Sequence, residues 1–305
     1  MALTLLETIE QACEELGLTA PNAAIGSSDT TVLQYIALVN RLLMDLVREN
    51  EWRRITKIHT FRTADSVTAT GDPTVDTVTV TGMSSTASVS AGMQVSGTGI
   101  PDFTEVASVD SGSQITMSMA ATATGNDVTL TFSTQDFALP SDFDRIVSAT
   151  NWDRSDHWMN LGPKSSQEWQ WLNGGSISTA PRFRWRLYRN VMRFFPAPAD
   201  VYNMAYEYVS NWTVIPAAGT HPTKARVTVD TDTFVFTDDV MVLGLKYLWK
   251  KTKGLDFAVE LAEFLRAMSY CKAQDEGNPT LSLSPTFATN LVSPSAIPDG
   301  SWDLS

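Results

Sequence analysis

Residues 182–209 read RFRWRLYRNVMRFFPAPADVYNMAYEYV, and they close a tryptophan-rich segment that begins at Asp136. At the start of this stretch, three apolar side chains alternate with three arginines, which is the period of a strand buried on one face. A short turn at 189–190 is followed by VMRFF, a return strand that Pro196 ends. Apolar and polar residues alternate again over 202–208. The segment therefore predicts a sheet of three strands.

The composition is that of a globular protein with an acidic charge. Apolar residues make up 43% of the 305 positions, charged residues 18%, and the formal net charge is −12. Such a charge argues against a dedicated nucleic-acid-binding protein, which normally presents a basic face to phosphate. The two cysteines, Cys13 and Cys271, stand far apart on predicted helices, so we expect small core residues and no disulfide framework. The sequence shows neither a membrane-length apolar run nor a basic signal-peptide start, and we expect synthesis in the cytosol.

Helices are predicted on both sides of the tryptophan-rich segment. Thr4 to Glu7 fits a capping box, and apolar residues follow at helical spacing. A longer amphipathic helix is predicted from Asp29 to Glu49. Near the other end, a third helix starts at Asp238, and a fourth runs over residues 256–274. The third is apolar on nearly every side, so we expect it at the centre of a bundle.

Residues 66–133 differ sharply in composition from their surroundings. They contain no Lys, Arg, Trp or Tyr and are rich in Thr, Ser, Val, Ala and Gly. Short alternating runs such as VDTVTVTG and NDVTLTF are separated by turn residues. The pattern predicts a small all-β domain inserted between two strands of the main domain.

Residues 277–305 form a polar segment without Lys or Arg. Two interpretations are open, namely a disordered tail, which is usual for this composition, and an arm that becomes ordered on a neighbouring subunit. Isolated apolar residues are the candidate contact residues of the arm: Leu283, Phe287, Leu291, Ile297, Trp302 and Leu304.

Together these patterns predict an α+β fold. Two N-terminal and two C-terminal helices would form a four-helix bundle with a β-rich middle, an inserted small all-β domain and an extended C-terminal arm. The expected core comprises residues 1–65 and 134–276, the insert residues 66–133, and the arm residues 277–305.

The sequence holds no spacing typical of a catalytic or metal centre. His59, His157 and His221 lie far apart, and no HExxH or HxH pattern occurs. GxSxG, GxxxxGKS and GxGxxG are also missing from the sequence. Paired carboxylates serve glycosidases, but Asp142 and Asp144 stand in LPSDFD, which is typical of a polar turn. We therefore predict no enzyme, no cofactor and no metal ion.

The main concentration of positive charge lies on the predicted hairpin. It consists of Arg182, Arg184, Arg186, Arg189 and Arg193. One interpretation is a solvated face whose side-chain stems cover apolar surface. A second is a patch that meets carboxylates of a neighbouring subunit. A third is a DNA contact, against which the acidic composition argues.

The whole chain resembles a family of virion proteins. Its start, MALTLLETIEQACEELGL, and the phrase FALPSDFDRI followed by NWD are similar to the head-to-tail adaptors of tailed bacteriophages, of the tail tubular protein A type. Within residues 66–133, the phrase SVSAGMQVSGTGIP resembles a small β-domain that recurs in phage virion proteins, often as a decoration.

The resemblance implies a structural role at the head–tail junction of a virion that is assembled in the cytoplasm of the host bacterium. Adaptors of this type form a ring, commonly of twelve copies, that docks beneath the portal protein and extends the DNA channel. The arm would climb onto the portal or an adjacent subunit, and the β-rich middle would face the next tail component, a nozzle or tail tube. DNA would pass without specific binding, which an acidic chain favours.

Two other functions remain alternatives. A decoration or receptor-binding virion protein would use the insert and surface tryptophans to contact sugar, although residues 66–133 contain no Trp or Tyr. A virion glycosidase would use Asp142 or Asp144.

Overall fold

The computed structural model describes residues 2–174 and 182–276. Within them, five α-helices accompany short strands in several antiparallel sheets. The helices are α1 (Leu5–Glu15), α2 (Thr30–Glu49), α3 (Ser166–Leu172), α4 (Asp238–Lys253) and α5 (Ala258–Glu276). The first strands are β1 (Thr56–Arg62), β2 (Val67–Pro73), β3 (Thr79–Thr81), β4 (Gln94–Gly97), β5 (Val106–Ser111), β6 (Gln114–Met117), β7 (Val128–Ser133) and β8 (Asp136–Ala138). The others are β9 (Phe143–Ile146), β10 (Trp152–Asp153), β11 (Trp158–Met159), β12 (Arg184–Tyr188), β13 (Val191–Phe195), β14 (Asn203–Ser210), β15 (Val214–Ile215) and β16 (Thr233–Phe234).

The described chain divides into two compact units. Unit 1 comprises the described residues of Met1–Lys57, Asp142–Val147 and Tyr208–Ser305. Unit 2 comprises Ile58–Ser141 and Ser148–Glu207. Four of the five helices belong to unit 1, and most of the strands belong to unit 2.

The helices of unit 1 begin and end where local chemistry places their boundaries. The Thr4 hydroxyl accepts the Glu7 N–H, and the Glu7 carboxylate accepts the Thr4 N–H at 2.8 Å, so the predicted capping box is confirmed. Asp29 caps α2 by accepting the Thr31 N–H at 2.7 Å. Helix α4 ends at Gly254, whose φ of 72° is a left-handed conformation that glycine adopts without strain.

The predicted four-helix bundle is wrong. Helix α4 packs against α1, α2 and α5, but the core of unit 1 also contains strand side chains, among them Val209, Val214 and Phe234. Together with α3 in the middle of the chain and the antiparallel sheets, this makes the protein β-rich with five helices. An apolar stripe reports that one face of a helix is buried, but not whether helices or strands cover it.

Helix α2 is the only described helix that is long and apolar enough to cross a membrane, with a mean hydropathy of 1.2. The same apolar side chains build the core of unit 1, where Tyr35, Val39 and Leu43 are fully buried. Its composition therefore matches that of a core helix, which passes the same test.

In unit 2, strands β12 and β13 form the predicted hairpin, with Trp185 opposite Phe194. The third predicted strand is present as β14, but it belongs to another sheet. Strand β8 is the second neighbour of β13, whereas β14 is part of a sheet with the order β1-β14-β10-β11. Six of the eight residues of β14 are buried, so both of its faces are covered. Alternation of apolar and polar residues indicates a strand, but it does not show which strands lie beside it in the sheet.

Residues 67–133 of unit 2 form a six-stranded antiparallel sheet with the order β4-β7-β2-β3-β6-β5. Its two outer strands meet, because the Val106 N–H donates to Met93 O at 2.9 Å and the Val95 N–H donates to Thr104 O at 2.8 Å. The sheet therefore closes as a small barrel, which leaves no long free edge. Val80, Ile115, Leu130 and Phe132 are fully buried inside. We call residues 67–133 the barrel.

The barrel core provides a direct test of this packing. Phe132→Ala should lower the free energy of unfolding by about 3–5 kcal/mol, because it removes a fully buried ring and leaves a cavity. The matched control is Val109→Ala on β5, where the side chain is 39% exposed and the change should stay within about 0.5 kcal/mol. Urea denaturation of full-length protein measures both, and equal losses would contradict the closed core.

Candidate functional site

The arginine series surrounds one aromatic ring on the β12–β13 hairpin. The guanidinium carbons of Arg186, Arg193 and Arg189 lie 4.7, 4.9 and 5.1 Å from the ring centre of Tyr188. A cation at this distance from an aromatic face is attracted by the ring. Tyr188 thus gathers three of the five predicted arginines, and nothing in the sequence pattern singled it out.

Arg193 is committed to carboxylates of its own unit. Its Nε and Nη2 each donate to Asp136 at 2.6 Å, and its Nη1 donates to Glu105 at 2.7 Å. Burial lowers the pKa of Arg193, but the two carboxylates outweigh that effect and raise it above its ordinary value. Because its side chain is also nearly covered, we expect Arg193 to stabilise unit 2, and it is the member of the series with the least charge to offer a neighbour.

The other arginines differ in what they contact. Arg186 also stacks on Trp169 at 4.5 Å, and burial together with Arg193 lowers its pKa. Arg182 lies 4.6 Å from the ring centre of Trp158, which is 40% exposed. Arg184 is half-buried, and Arg189 is exposed. Four of the five arginines therefore stack on aromatic rings, and Arg189 is the exposed member of the series.

Asp142 lies in a buried network of unit 1. Its carboxylate accepts hydrogen bonds from Lys57 Nζ at 2.6 Å, Ser210 Oγ at 2.7 Å and the Tyr208 hydroxyl at 2.9 Å. We call these four residues the Asp142 network. Burial raises the pKa of Asp142, but the three donors outweigh it, so that this pKa lies below its ordinary value. An ionised carboxylate that is saturated with donors suits a structural ion pair better than a general acid.

Asp144 is paired with a different cation from Asp142. It accepts from Arg145 Nη1 at 2.8 Å, and Arg145 Nη2 donates to the Val47 and Asn50 carbonyls. The two carboxylates are thus held by different cations.

The histidines have separate surroundings. His59 contacts the rings of Phe61 and Tyr206, with ring centres 5.6 and 5.2 Å away. His221 is exposed on a loop. Across residues 2–174 and 182–276, no group of three or more His, Cys, Asp or Glu side chains is placed to hold a metal ion.

Helix α5 carries apolar side chains on two opposite faces. The inner face packs on α4 and buries Met268 and Cys271. On the opposite, outer face, Val259 and Tyr270 are each 64% exposed, and Leu265, which projects roughly 120° away from Val259 around the helix, is 56% exposed. Surface helices normally keep apolar residues to one stripe, so these exposed side chains are available for a contact that the described residues do not make. The periodicity of the fourth helix predicts one apolar face with Leu261, Leu265 and Met268, and it leaves Val259 and Tyr270 unassigned.

The predicted contact residues of the arm lie outside the described residues. They are Leu283, Phe287, Leu291, Ile297, Trp302 and Leu304.

No protein-family model matches the chain, and a search of curated proteins found no match.

The Asp142 network gives a pH-dependent prediction. Asp142→Asn should lower the free energy of unfolding at neutral pH by about 2 kcal/mol, because Lys57 loses its counter-charge but remains 33% exposed. Since the folded pKa of Asp142 is depressed, its contribution is complete above the ordinary pKa of 3.8 and is lost as pH falls through the folded pKa. Urea denaturation at a series of pH values should therefore show wild type and variant converging in strong acid.

Asp144→Asn is the matched control, because Asp144 and Arg145 are each about 30% exposed. It should cost less than about 1 kcal/mol. An Asp142→Asn loss that stayed constant down to strong acid would show that the carboxylate charge is not what stabilises unit 1.

The arginine series yields a second stability prediction. Arg193→Gln should cost about 2–3 kcal/mol, because it leaves the partly buried carboxylates of Asp136 and Glu105 without their cation. Arg189→Gln, at an exposed position without a carboxylate partner among the described residues, should change stability by less than about 0.5 kcal/mol. Chemical denaturation followed by tryptophan fluorescence measures both, and similar losses would refute the distinction.

Proposed function

We propose that this chain is a structural protein of a phage virion, a head-to-tail adaptor. Its copies form a ring, of twelve subunits as in the family that the sequence resembles, between the portal and the next tail component. The ring extends the channel through which DNA leaves the head. The apolar outer face of α5 is the observation that carries this proposal.

A ring of identical subunits needs two different side surfaces on each copy, because each copy contacts the next head to tail. Helix α5 supplies one of them, with Val259, Leu265 and Tyr270 exposed. Glu263 and Arg266 are also exposed on this helix, and neither side chain forms an ion pair with any described residue. The face thus combines apolar area with unpaired charges of both signs, as subunit interfaces do. Its occupant in the ring is a second copy of this chain.

The charge of the chain fits a DNA channel. A net charge of −12 per copy disfavours strong attraction between the ring and the passing phosphates. Several of the arginines on the β12–β13 hairpin are stacked on rings or paired with carboxylates, so their charge is partly screened within the chain. DNA would therefore pass without specific binding.

One observation favours a second candidate function. The barrel buries its own core and closes its own sheet, as a self-contained module does. A decoration or receptor-binding protein of the tail would use such a module to contact another molecule. The two candidates differ in whether the chain assembles with the portal.

Native mass spectrometry tests the adaptor proposal. The purified protein is measured alone and after mixing with portal rings of the same virus. The expected result is a complex that contains one copy of this chain per portal subunit. Val259→Glu combined with Tyr270→Glu should abolish the ring while the free variant stays folded, because charges on the outer face of α5 would be buried between copies.

Val229→Glu is the matched control, since Val229 is a 48% exposed apolar residue of unit 1 that lies outside α5. This variant should assemble like wild type. A wild-type protein that ignores the portal would overturn the adaptor proposal in favour of the decoration candidate. Normal assembly of the α5 double variant would remove α5 from the interface.

A further inference from the structure

A cavity of about 280 Å³ opens in unit 1 between α2 and the chain that precedes and follows β15. Its apolar wall is formed by Leu43, Met44, Val47 and Ala225. Leu43 and Val47 belong to the buried core, whereas Met44 is 44% exposed at the rim. The wall can therefore cover an apolar side chain without any change in the core beneath it.

The polar part of the cavity carries unbalanced positive charge. Arg48 and Arg226 both line it and are exposed, and neither forms an ion pair with a described residue. Asp144 also lines it, but its charge is neutralised by Arg145 at 2.8 Å. In a chain with a net charge of −12, two arginines that have no ion-pair partner among the described residues favour a carboxylate as ligand.

Two lining residues also carry polar atoms without a partner. Thr213 is 1% exposed, and its Oγ1 has no hydrogen-bond partner among the described residues. The Oδ1 of Asn211 is likewise buried and lacks a partner in the described part of the chain. Buried polar groups are almost always hydrogen-bonded, so we expect a ligand of this cavity to supply hydrogen-bond donors to these two oxygens. Peptide N–H groups are such donors.

We propose that this cavity binds an acidic peptide segment, and that its occupant is residues 297–304, IPDGSWDL, of a copy of this chain. The segment offers Asp299 and Asp303 to the two arginines, and it offers Trp302 and Leu304 to the apolar wall. Residues 277–305 contain no Lys or Arg that would oppose this contact.

The length of the chain permits the contact. Residues 277–298 follow α5, which belongs to unit 1 like the cavity, and an extended chain of that length reaches roughly 70 Å. The inference deepens the proposed function, in which residues 277–305 form an arm, and it rests on that proposal for a contact between copies. It identifies the cavity of unit 1 as the binding site of the arm.

Disulfide crosslinking of full-length protein tests the contact. Met44→Cys is combined with Leu304→Cys, and crosslinking is started with diamide. The matched control combines Leu33→Cys with Leu304→Cys, because Leu33 lies on the same helix with 50% exposure but does not line the cavity. Cys13 and Cys271 are 2% and 0% exposed and should not react. The Met44 pair is expected to crosslink at least about tenfold faster, and equal rates would overturn the proposal.

The charge of the site is tested in the same assay. Arg226→Gln added to the Met44 pair should slow crosslinking at least about fivefold, because a partner of the carboxylates is removed. Arg41→Gln is the control, since Arg41 faces solvent on α2, pairs with Asp45 and does not line the cavity. An unchanged rate with Arg226→Gln would overturn carboxylate recognition.

Gel mass after crosslinking separates two forms of the same contact. A product of one chain mass places the segment in its own copy, and a product of two chain masses places it in a second copy, and either supports the inference. Portal assembly is measured separately by native mass spectrometry. Ring formation without selective crosslinking would overturn this inference alone, whereas selective crosslinking without portal binding would overturn the adaptor proposal alone.

Discussion

A buried carboxylate, Asp142, connects the separate chain segments that make up unit 1. Lys57 is the last residue of the first segment, Asp142 opens the second, and Tyr208 opens the third. Their side chains meet at 2.6 and 2.9 Å in the Asp142 network. A domain built from discontinuous segments must hold their ends together against chain entropy. The Asp142 carboxylate does this by binding Lys57 of the first segment and Tyr208 and Ser210 of the third. The helices pack around these joined segments.

Helix α4 is the second element on which unit 1 depends. It contacts α1, α2 and α5, and it buries Val240, Met241 and Leu245 completely. Gly244 lets Leu42 approach its backbone closely, since a Cβ there would lie 2.8 Å from the Leu42 side chain. Because other elements cover α4 on most sides, α5 lies at the edge of unit 1, and one of its apolar faces stays exposed to solvent. The proposed assembly surface is thus a consequence of how the core is filled.

Local chemistry made part of this fold predictable. The Thr4–Glu7 capping box and the β12–β13 hairpin follow from spacing over a few residues, and both are present. The four-helix bundle was wrong because apolar periodicity does not say what covers a helix. The partners of Arg193 lie 57 and 88 positions away along the chain, where no pattern connects them. The unpaired oxygens of the cavity could not be foreseen for the same reason, since satisfaction of a polar group depends on tertiary contacts.

The polypeptide enters and leaves the barrel at neighbouring positions. Val67 and Phe132 are paired across neighbouring strands, so the residues that lead into and out of the barrel stand about 5 Å apart. Its core lies within residues 67–133, and the contacts that leave it include hydrogen bonds from Arg193 to Glu105 and from Gln135 to the Gly92 carbonyl. A genetic exchange that removed or replaced this module would leave a gap that a few residues can bridge. A replacement module therefore has to match the rest of the polypeptide at one pair of neighbouring residues and at the carboxylate that Arg193 binds.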